Sequence, residues 1–428
     1  MQRFGCIQGA CEDTCCRDWG IAIDVADLEQ MQRVAAKKNV VDGLFHLVVL
    51  GKPAPGSGTK TFMKLKEDGS CPLLEASGSC SIHRLAGEDA LSTTCSVFPR
   101  SSLKIPARQL EVTGSLGCPE LARLTLLADD GAEQAPSREP LLPRDYVGKA
   151  LSDDPSDAYS ASFFEVRETL LALVDKADFS IASRLLFAAH LADQIGPYYF
   201  AGTTAFEGSE RTFSQHKLKR DLAASLDEQH LRELDNELSH FGGAGEAVLT
   251  STLSFLLERQ KLAHPERFGR LLQKVFTALQ GAATGQAAVP GQEVTPAQLL
   301  AVVERRRVGL DERLPGLVQK ILGNYVRHYI LRNAFVDSRD LNAYLGRMMV
   351  QLAALRVLIA GHPSVEAMLA RAAQADDGGI LSQAAVEVIQ SFTKAITHNL
   401  PFLDAVLGAN QETGGFSFGR LALYAKFV

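Results

Sequence analysis

The alternation of apolar and polar positions divides this chain into two unlike parts. Up to about residue 125 the apolar runs are short and broken by turn residues, which predicts a loop-rich unit with minor β. Gly20-Ile21-Ala22-Ile23-Asp24 alternates as a strand does, and Asp24 stands where a carboxylate can cap an amphipathic helix over 25–38. A flexible Gly/Pro-rich loop at 51–60 leads to a second strand at 60–66 and a turn at Glu67-Asp68-Gly69-Ser70. A short helix at 89–94 then delivers Cys95.

Residues 126–158 lose this pattern and carry ADDGAEQAPSREPLLP and SDDPSD, so they read as a linker. From 159 to 428 the apolar residues recur near every third and fourth position. That spacing predicts helices at 163–174, 182–195, 217–241, 247–260, 265–279, 314–334, 341–360, 365–373 and 382–395. A further helix starts at Thr295-Pro296-Ala297, with Thr at the cap and Pro just inside. The expected fold is therefore mainly α, with a cysteine-bearing N-terminal domain at 1–125, the linker, and a multi-helical domain at 159–428.

Composition narrows the classes without naming one. With 428 residues, 46% of them hydrophobic and 22% charged, the chain suits a globular protein of about two to three domains. No unbroken apolar run approaches the roughly 18–20 residues of a membrane span, and the first residues show no apolar signal core. A cytoplasmic, reducing location and no membrane partner are expected. A net charge of −6 without a clear basic patch gives no reason to expect a nucleic-acid partner. No GxGxxG opens a strand–helix unit, and Gly56-Ser57-Gly58-Thr59-Lys60 does not complete a phosphate loop.

Cysteine usage changes the picture. All eight lie between Cys6 and Cys118: Cys6, Cys11 and the adjacent Cys15 and Cys16, then Cys71, Cys80, Cys95 and Cys118. In a reducing compartment, thiols gathered in this way point to metal or redox chemistry rather than to disulfides. A thiolate-rich site selects zinc, copper(I) or an iron–sulfur cluster, and four sulfurs suffice for either zinc or a [4Fe–4S] cluster. The surplus leaves two centres, or some idle thiols, equally open. Successive side chains on a strand face opposite ways, so Cys15 and Cys16 must occupy a turn, serve two centres, or include one idle member. His83, three residues after Cys80, can complete a Cys/His site or hydrogen-bond to backbone or Glu88.

The ordered motifs also carry a resemblance. Cys11-Glu12-Asp13-Thr14-Cys15-Cys16 with Trp19, Cys71-Pro72-Leu73-Leu74, and Cys80-x-Ile82-His83 with Gly87-Glu88 come first. Leu91-Ser92-x-Thr94-Cys95-x-x-Phe98-Pro99-Arg100 and Leu116-x-Cys118-Pro119-Glu120 complete the cysteine region. Further on stand Asn324-Tyr325 and Ser391-Phe392-x-Lys394-Ala395-Ile396-x-His398-Asn399. Together they resemble the flagellin lysine N-methylases and the wider group of small cysteine-cluster domains described as zinc or iron chelators. The resemblance implies methyl transfer from S-adenosylmethionine to lysines of flagellin, with the cysteines holding an iron–sulfur centre. On that reading all eight cysteines are candidate ligands, and Trp19, Arg100 and Asn324 are candidate cofactor contacts. Tyr325 and His398 are the candidate general bases, because a lysine amine near pKa ~10.4 must lose a proton before it can be methylated.

Each of these residues also has a plainer role. Trp19, the only tryptophan, can anchor a core, and Arg100 can form a surface ion pair. Asn324, His328 and Arg332 recur on one helix face, where buried polar groups can simply satisfy one another. Arg305-Arg306-Arg307 reads as a solvated helix face able to dock an acidic partner. The competing functional class is a non-catalytic zinc or iron–sulfur module, or a redox sensor using Cys15 and Cys16, that recruits a protein partner.

Overall fold

The computed structural model describes residues 4–39, 61–108, 110–137, 140–144, 146–154, 157–199, 213–240, 245–261, 266–285, 294–333, 335, 340–397, 402 and 416–428. Contacts divide the chain into two compact units, one of Met1–Leu103, Leu110–Leu124 and Gln134–Lys149, the other of Lys104–Gln109, Thr125–Glu133 and Ala150–Val428. The stretch read as a linker is thus shared between both units, and it contributes a strand, Lys149–Ala150, and a buried Leu151.

In the N-terminal unit, β1 (Ala22–Ile23) pairs antiparallel with β2 (Thr61–Phe62), Ala22 opposite Phe62. Both strands are shorter than the alternation suggests. Asp24 caps α1 (Val25–Lys37) by accepting the Asp27 N–H at 2.7 Å, as its position predicts. Two short helices follow, α2 (Ser81–Ala86) and α3 (Thr93–Val97). The expected helix at 89–94 is displaced, because the Ser92 hydroxyl accepts the Cys95 N–H and starts the helix at Thr93. Cys95 consequently sits inside α3 rather than after a helix. A three-stranded sheet orders β4 (Glu111–Gly114), β3 (Arg100–Lys104) and β5 (Lys149–Ala150), and α4 (Pro119–Leu127) follows β4 in sequence.

The second unit is mainly helical in its described residues: α5 (Ala158–Val174), α6 (Ile181–Tyr199), α7 (Gln215–Ala224), α8 (Glu228–His240), α9 (Gly245–Lys261) and α10 (Glu266–Thr284) come first. There follow α11 (Pro296–Arg313), α12 (Pro315–Arg332), α13 (Leu341–Gly361), α14 (Pro363–Leu369), α15 (Asp377–Phe392) and α16 (Phe418–Phe427). One helix predicted over 217–241 is two, because Asp227 accepts the His230 N–H at 2.9 Å and caps a fresh start. Thr295 and Gln298 form the capping box that opens α11. The C-terminal α16 has no counterpart among the expected helices.

Helix α13 runs through the middle, packed by α6, α9, α10, α11, α14, α15 and α16. It is long and apolar enough to cross a membrane by length and composition, yet its apolar window is 89% buried within the protein. Gly346 lets α16's approach close over it, since a Cβ there would stand 2.3 Å from the Phe416 ring. Arg306 departs from the solvated face expected of Arg305-Arg306-Arg307. It is 5% exposed, donating to Glu366 and to the Ala360 carbonyl, while Arg307 donates to the Phe427 carbonyl.

Asp377, 2% exposed, ties α11 to α15 through Arg313 Nε at 2.6 Å, and it accepts the Gln374 N–H at 3.1 Å. Burial pushes its carboxyl up, but the Gln374 and Arg313 hydrogen bonds and the charges of Arg313 and Arg371 pull it below the ordinary value. A depressed carboxylate contributes stability that is complete above its unfolded pKa of about 3.9 and is lost as pH falls through the lower folded value. Asp377→Asn is therefore expected to lower the urea midpoint at neutral pH and to flatten its decline in acid. Parallel slopes for variant and wild type would contradict this.

Candidate functional site

Backbone pairing assembles the thiols. The Cys71 N–H donates to the Cys16 carbonyl at 2.8 Å, next to a bridge between Arg17 and Ser70, so the Cys15–Cys16 turn lies alongside the Cys71 loop. That loop turns at Gly69, whose φ of +73° suits glycine and whose Cβ would meet Asp18 Oδ1 at 2.6 Å. Cys80 bridges to Leu74 and is the N-cap residue of α2. Cys95 is fixed by the anchoring of α3: Asp27, 6% exposed, accepts from Thr93 N at 2.8 Å, Thr93 Oγ1 at 2.7 Å and Arg144 at 3.4 Å. Cys118 precedes α4, whose Arg123 reaches Glu120 at 2.9 Å and, beside Cys11, Glu12 at 3.3 Å.

Electrostatic coupling groups the sulfurs. Cys16 is within reach of Cys15, Cys71, Cys80 and Cys95, and Cys118 is within reach of Cys6 and Cys11. Burial pushes the Cys71 and Cys95 thiols up to about 12 and Cys118 to about 11, and it also raises Cys11 and Cys80. Cys15 is raised by its hydrogen bond to the Cys16 thiol and then by burial. Opposing this, backbone N–H groups of Leu73 point at Cys71, those of His83 and Ile82 at Cys80, and those of Leu121 and Glu120 at Cys118. Donors of this kind favour thiolate, and they tune sulfur in metal clusters.

The donor set therefore fits a soft metal in its chemistry: clustered sulfur, desolvation, and N–H groups aimed at sulfur. Among the described residues no three or more His, Cys, Asp or Glu side chains stand together as a ready ligand cage. The sulfurs are gathered without being closed into a polyhedron. Cys71 differs from the rest, being 3% exposed in the apolar core and donating to Met63 Sδ at 3.2 Å.

The other expected contacts have local duties. Trp19 donates its indole N–H to the Cys15 carbonyl and lies 5.1 Å from the Phe98 ring, bracing the cysteine turn. Arg100 stands over the Phe4 ring at 5.5 Å. In the helical unit, Asn324 gives its amide hydrogens to the Leu126 and Ala128 carbonyls at 3.3 and 3.0 Å. Tyr325 is 3% exposed beside Tyr329 and Arg332, and burial pushes its phenol well above the ordinary value. That environment opposes the ionisation a general base requires. His398, with Asn399, lies outside the described residues.

Tyr329, with Arg347 and the buried Gln351 beside it, is not singled out by sequence, because tyrosine on an apolar helix face reads as core. Their signal is three-dimensional: the Tyr329 phenol is raised to about 12 by burial, with Arg347, Gln351 and Arg332 drawing it back down.

Residues 167–424 match the family model of the FliB lysine N-methylase C-terminal domain. The lysine-N-methylase of Salmonella typhimurium is 32% identical over 124 residues, 28% of this chain and 29% of the relative. That of Salmonella choleraesuis is 31% identical over the same shares. The flagellar biosynthetic protein FliU of Salmonella muenchen is 30% identical over 151 residues, 34% of this chain and 86% of the relative. The chain thus spans 29% of the length of each of the two lysine-N-methylases it matches. No solved structure matches it. With more than half its length on one family model, the chain belongs to the FliB lysine N-methylase family.

Proposed function

We propose that this protein transfers methyl groups from S-adenosylmethionine to lysine side chains of flagellin, and that its N-terminal thiols hold an iron–sulfur cluster. The observation that carries the reading is the family match over 167–424. The FliU relative's name, a flagellar biosynthetic protein, supports a flagellar substrate. When bound, S-adenosylmethionine supplies the methyl: the lysine nitrogen attacks its carbon, the carbon–sulfur bond breaks, and the sulfonium leaves as a neutral thioether. What remains for the protein is to hold donor and amine in line and to accept the proton that the nitrogen loses.

Cys15, Cys16, Cys80 and Cys95 are the sulfurs best placed for one centre, with Cys6, Cys11 and Cys118 as a neighbouring set and Cys71 packed in the core. An iron–sulfur cluster held there would supply cationic iron to thiols whose burial otherwise favours the protonated form. Anaerobically purified protein is expected to contain iron and acid-labile sulfide in equal amounts, roughly four of each per chain. Zinc without sulfide would instead make the thiols a structural staple.

Tyr325 serves on this reading as a neutral, packed phenol. Tyr325→Phe should keep methyl transfer within about threefold, well short of the roughly 100-fold or greater loss expected on removing a general base. A loss of that larger size, in a protein melting as wild type does, would restore the base role. One observation favours a second reading. The hydrogen-bonded Cys15 and Cys16 thiols suit a redox sensor, which would lose activity reversibly on oxidation without losing metal.

A further inference from the structure

Helices α6 and α8 of the helical unit bring two imidazoles together. His190 lies on α6, and His230 lies in the first turn of α8, its backbone held by the Asp227 cap at 2.9 Å. Their Nε2 atoms are 3.1 Å apart, with ring centroids 5.0 Å apart and tilted by 52°. Gln194, one turn beyond His190 on α6, places its amide nitrogen 2.8 Å from the same His190 Nε2. Phe418 of α16 packs edge-on against the His190 ring at 5.6 Å, fixing it from the third side.

This crowding poses a bonding problem. An imidazole nitrogen offers one hydrogen or one lone pair, directed in the ring plane. His190 Nε2 therefore has two nitrogen neighbours at bonding distance but can make one good hydrogen bond. A cation resolves the conflict, since it accepts lone pairs from both rings. Half a turn of the Gln194 amide would present its oxygen as a third donor. With metal–nitrogen bonds of about 2.1 Å, nitrogens 3.1 Å apart subtend about 95° at the metal. That is a cis angle of octahedral or square-planar coordination, and it is narrower than the tetrahedral angle zinc prefers.

We propose that His190, His230 and Gln194 form a site for a divalent transition-metal ion of the nickel(II) or copper(II) type, stapling α6 to α8. Burial, followed by the neighbouring His230, lowers the His190 pKa and keeps the ring in its ligating neutral form. The carboxylates of Asp193 and Glu237 act on His190 in the opposite sense and lend the rim the negative potential that draws a cation.

Nickel(II) titrated calorimetrically into the full-length protein tests the site, with His190→Gln and His230→Gln run alongside. Wild type should show a one-equivalent phase and, in 100-fold excess over Kd, a thermal midpoint raised by about 3 °C. Each variant should lose that phase and shift while keeping any nickel binding by thiols, whose sulfur-to-nickel charge-transfer absorbance imidazole ligation lacks. Persistence of the phase in both variants, or its absence in wild type, overturns the proposal. If His190→Gln does not fold, judged by its metal-free melt, His230→Gln decides, because its side chain stands at a helix start with its backbone cap intact.

Discussion

If the thiols hold the proposed iron–sulfur cluster, Cys95→Ser should yield folded protein without iron, sulfide or methyl transfer. Cys95 is the thiol whose position the N-terminal unit specifies most heavily. It sits in α3, with Ser92 accepting its N–H and bonding its sulfur, and Asp27 and Arg144 hold the helix start. Cys16, Cys80 and Cys71 all lie within its electrostatic reach, and burial holds the lone thiol near 12. Serine preserves the shape while replacing soft sulfur with a hard, protonated oxygen, so the loss is one of ligation. Loss of a group that merely supports a ligand weakens metal binding by roughly 10–100-fold, and loss of the ligand itself should exceed that. Iron analysis beside a circular dichroism melt reads both quantities. Full iron content in the variant would reduce Cys95 to a packing residue.

Leu355→Ala should cost about 2–5 kcal/mol, the range for emptying a fully buried leucine site. Leu355 is 0% exposed on α13, and 18 of that helix's 21 residues are buried, so no solvent-facing side exists into which neighbours can relax. The seven helices that pack on α13 would each lose part of their shared wall. Val308, 48% exposed, makes the control: Val308→Ala should change stability by no more than about 0.5 kcal/mol. Equal effects from the two substitutions would mean that α13 is not the centre of the helical unit.

Periodicity carried most of the helical unit because its helices are amphipathic or wholly apolar, and the three-to-four spacing survives in sequence. It failed where one local contact decides the outcome. The Asp227 cap splits a single run into α7 and α8, and Ser92 moves α3 onto Cys95. Residues 126–158 read as a linker because their composition is that of a loop. Their strand and the anchoring role of Arg144 come from partners as distant in sequence as Asp27 and Ser102, which no local window contains.

The thiols were legible as chemistry, since eight cysteines confined to the first 118 residues are a compositional signal. Their grouping around Cys16 and around Cys118 was not, because backbone bridges such as Arg17 to Ser70 set it. Trp19, Arg100 and Asn324 illustrate the same limit. Residue type suggests a ligand contact, whereas the fold engages the first and last with backbone carbonyls and Arg100 with the Phe4 ring. The His190–His230 pair escapes sequence reading because the two residues stand forty apart in the chain, on α6 and α8, and no local window contains both.

The most direct test of the account is methyl transfer itself. The anaerobically purified protein, incubated with S-adenosylmethionine and flagellin, should add methyl-sized mass increments to flagellin lysines, dependent on both the protein and the donor. Protein that is folded and fully loaded with iron and sulfide, yet leaves flagellin unmodified under those conditions, would contradict it.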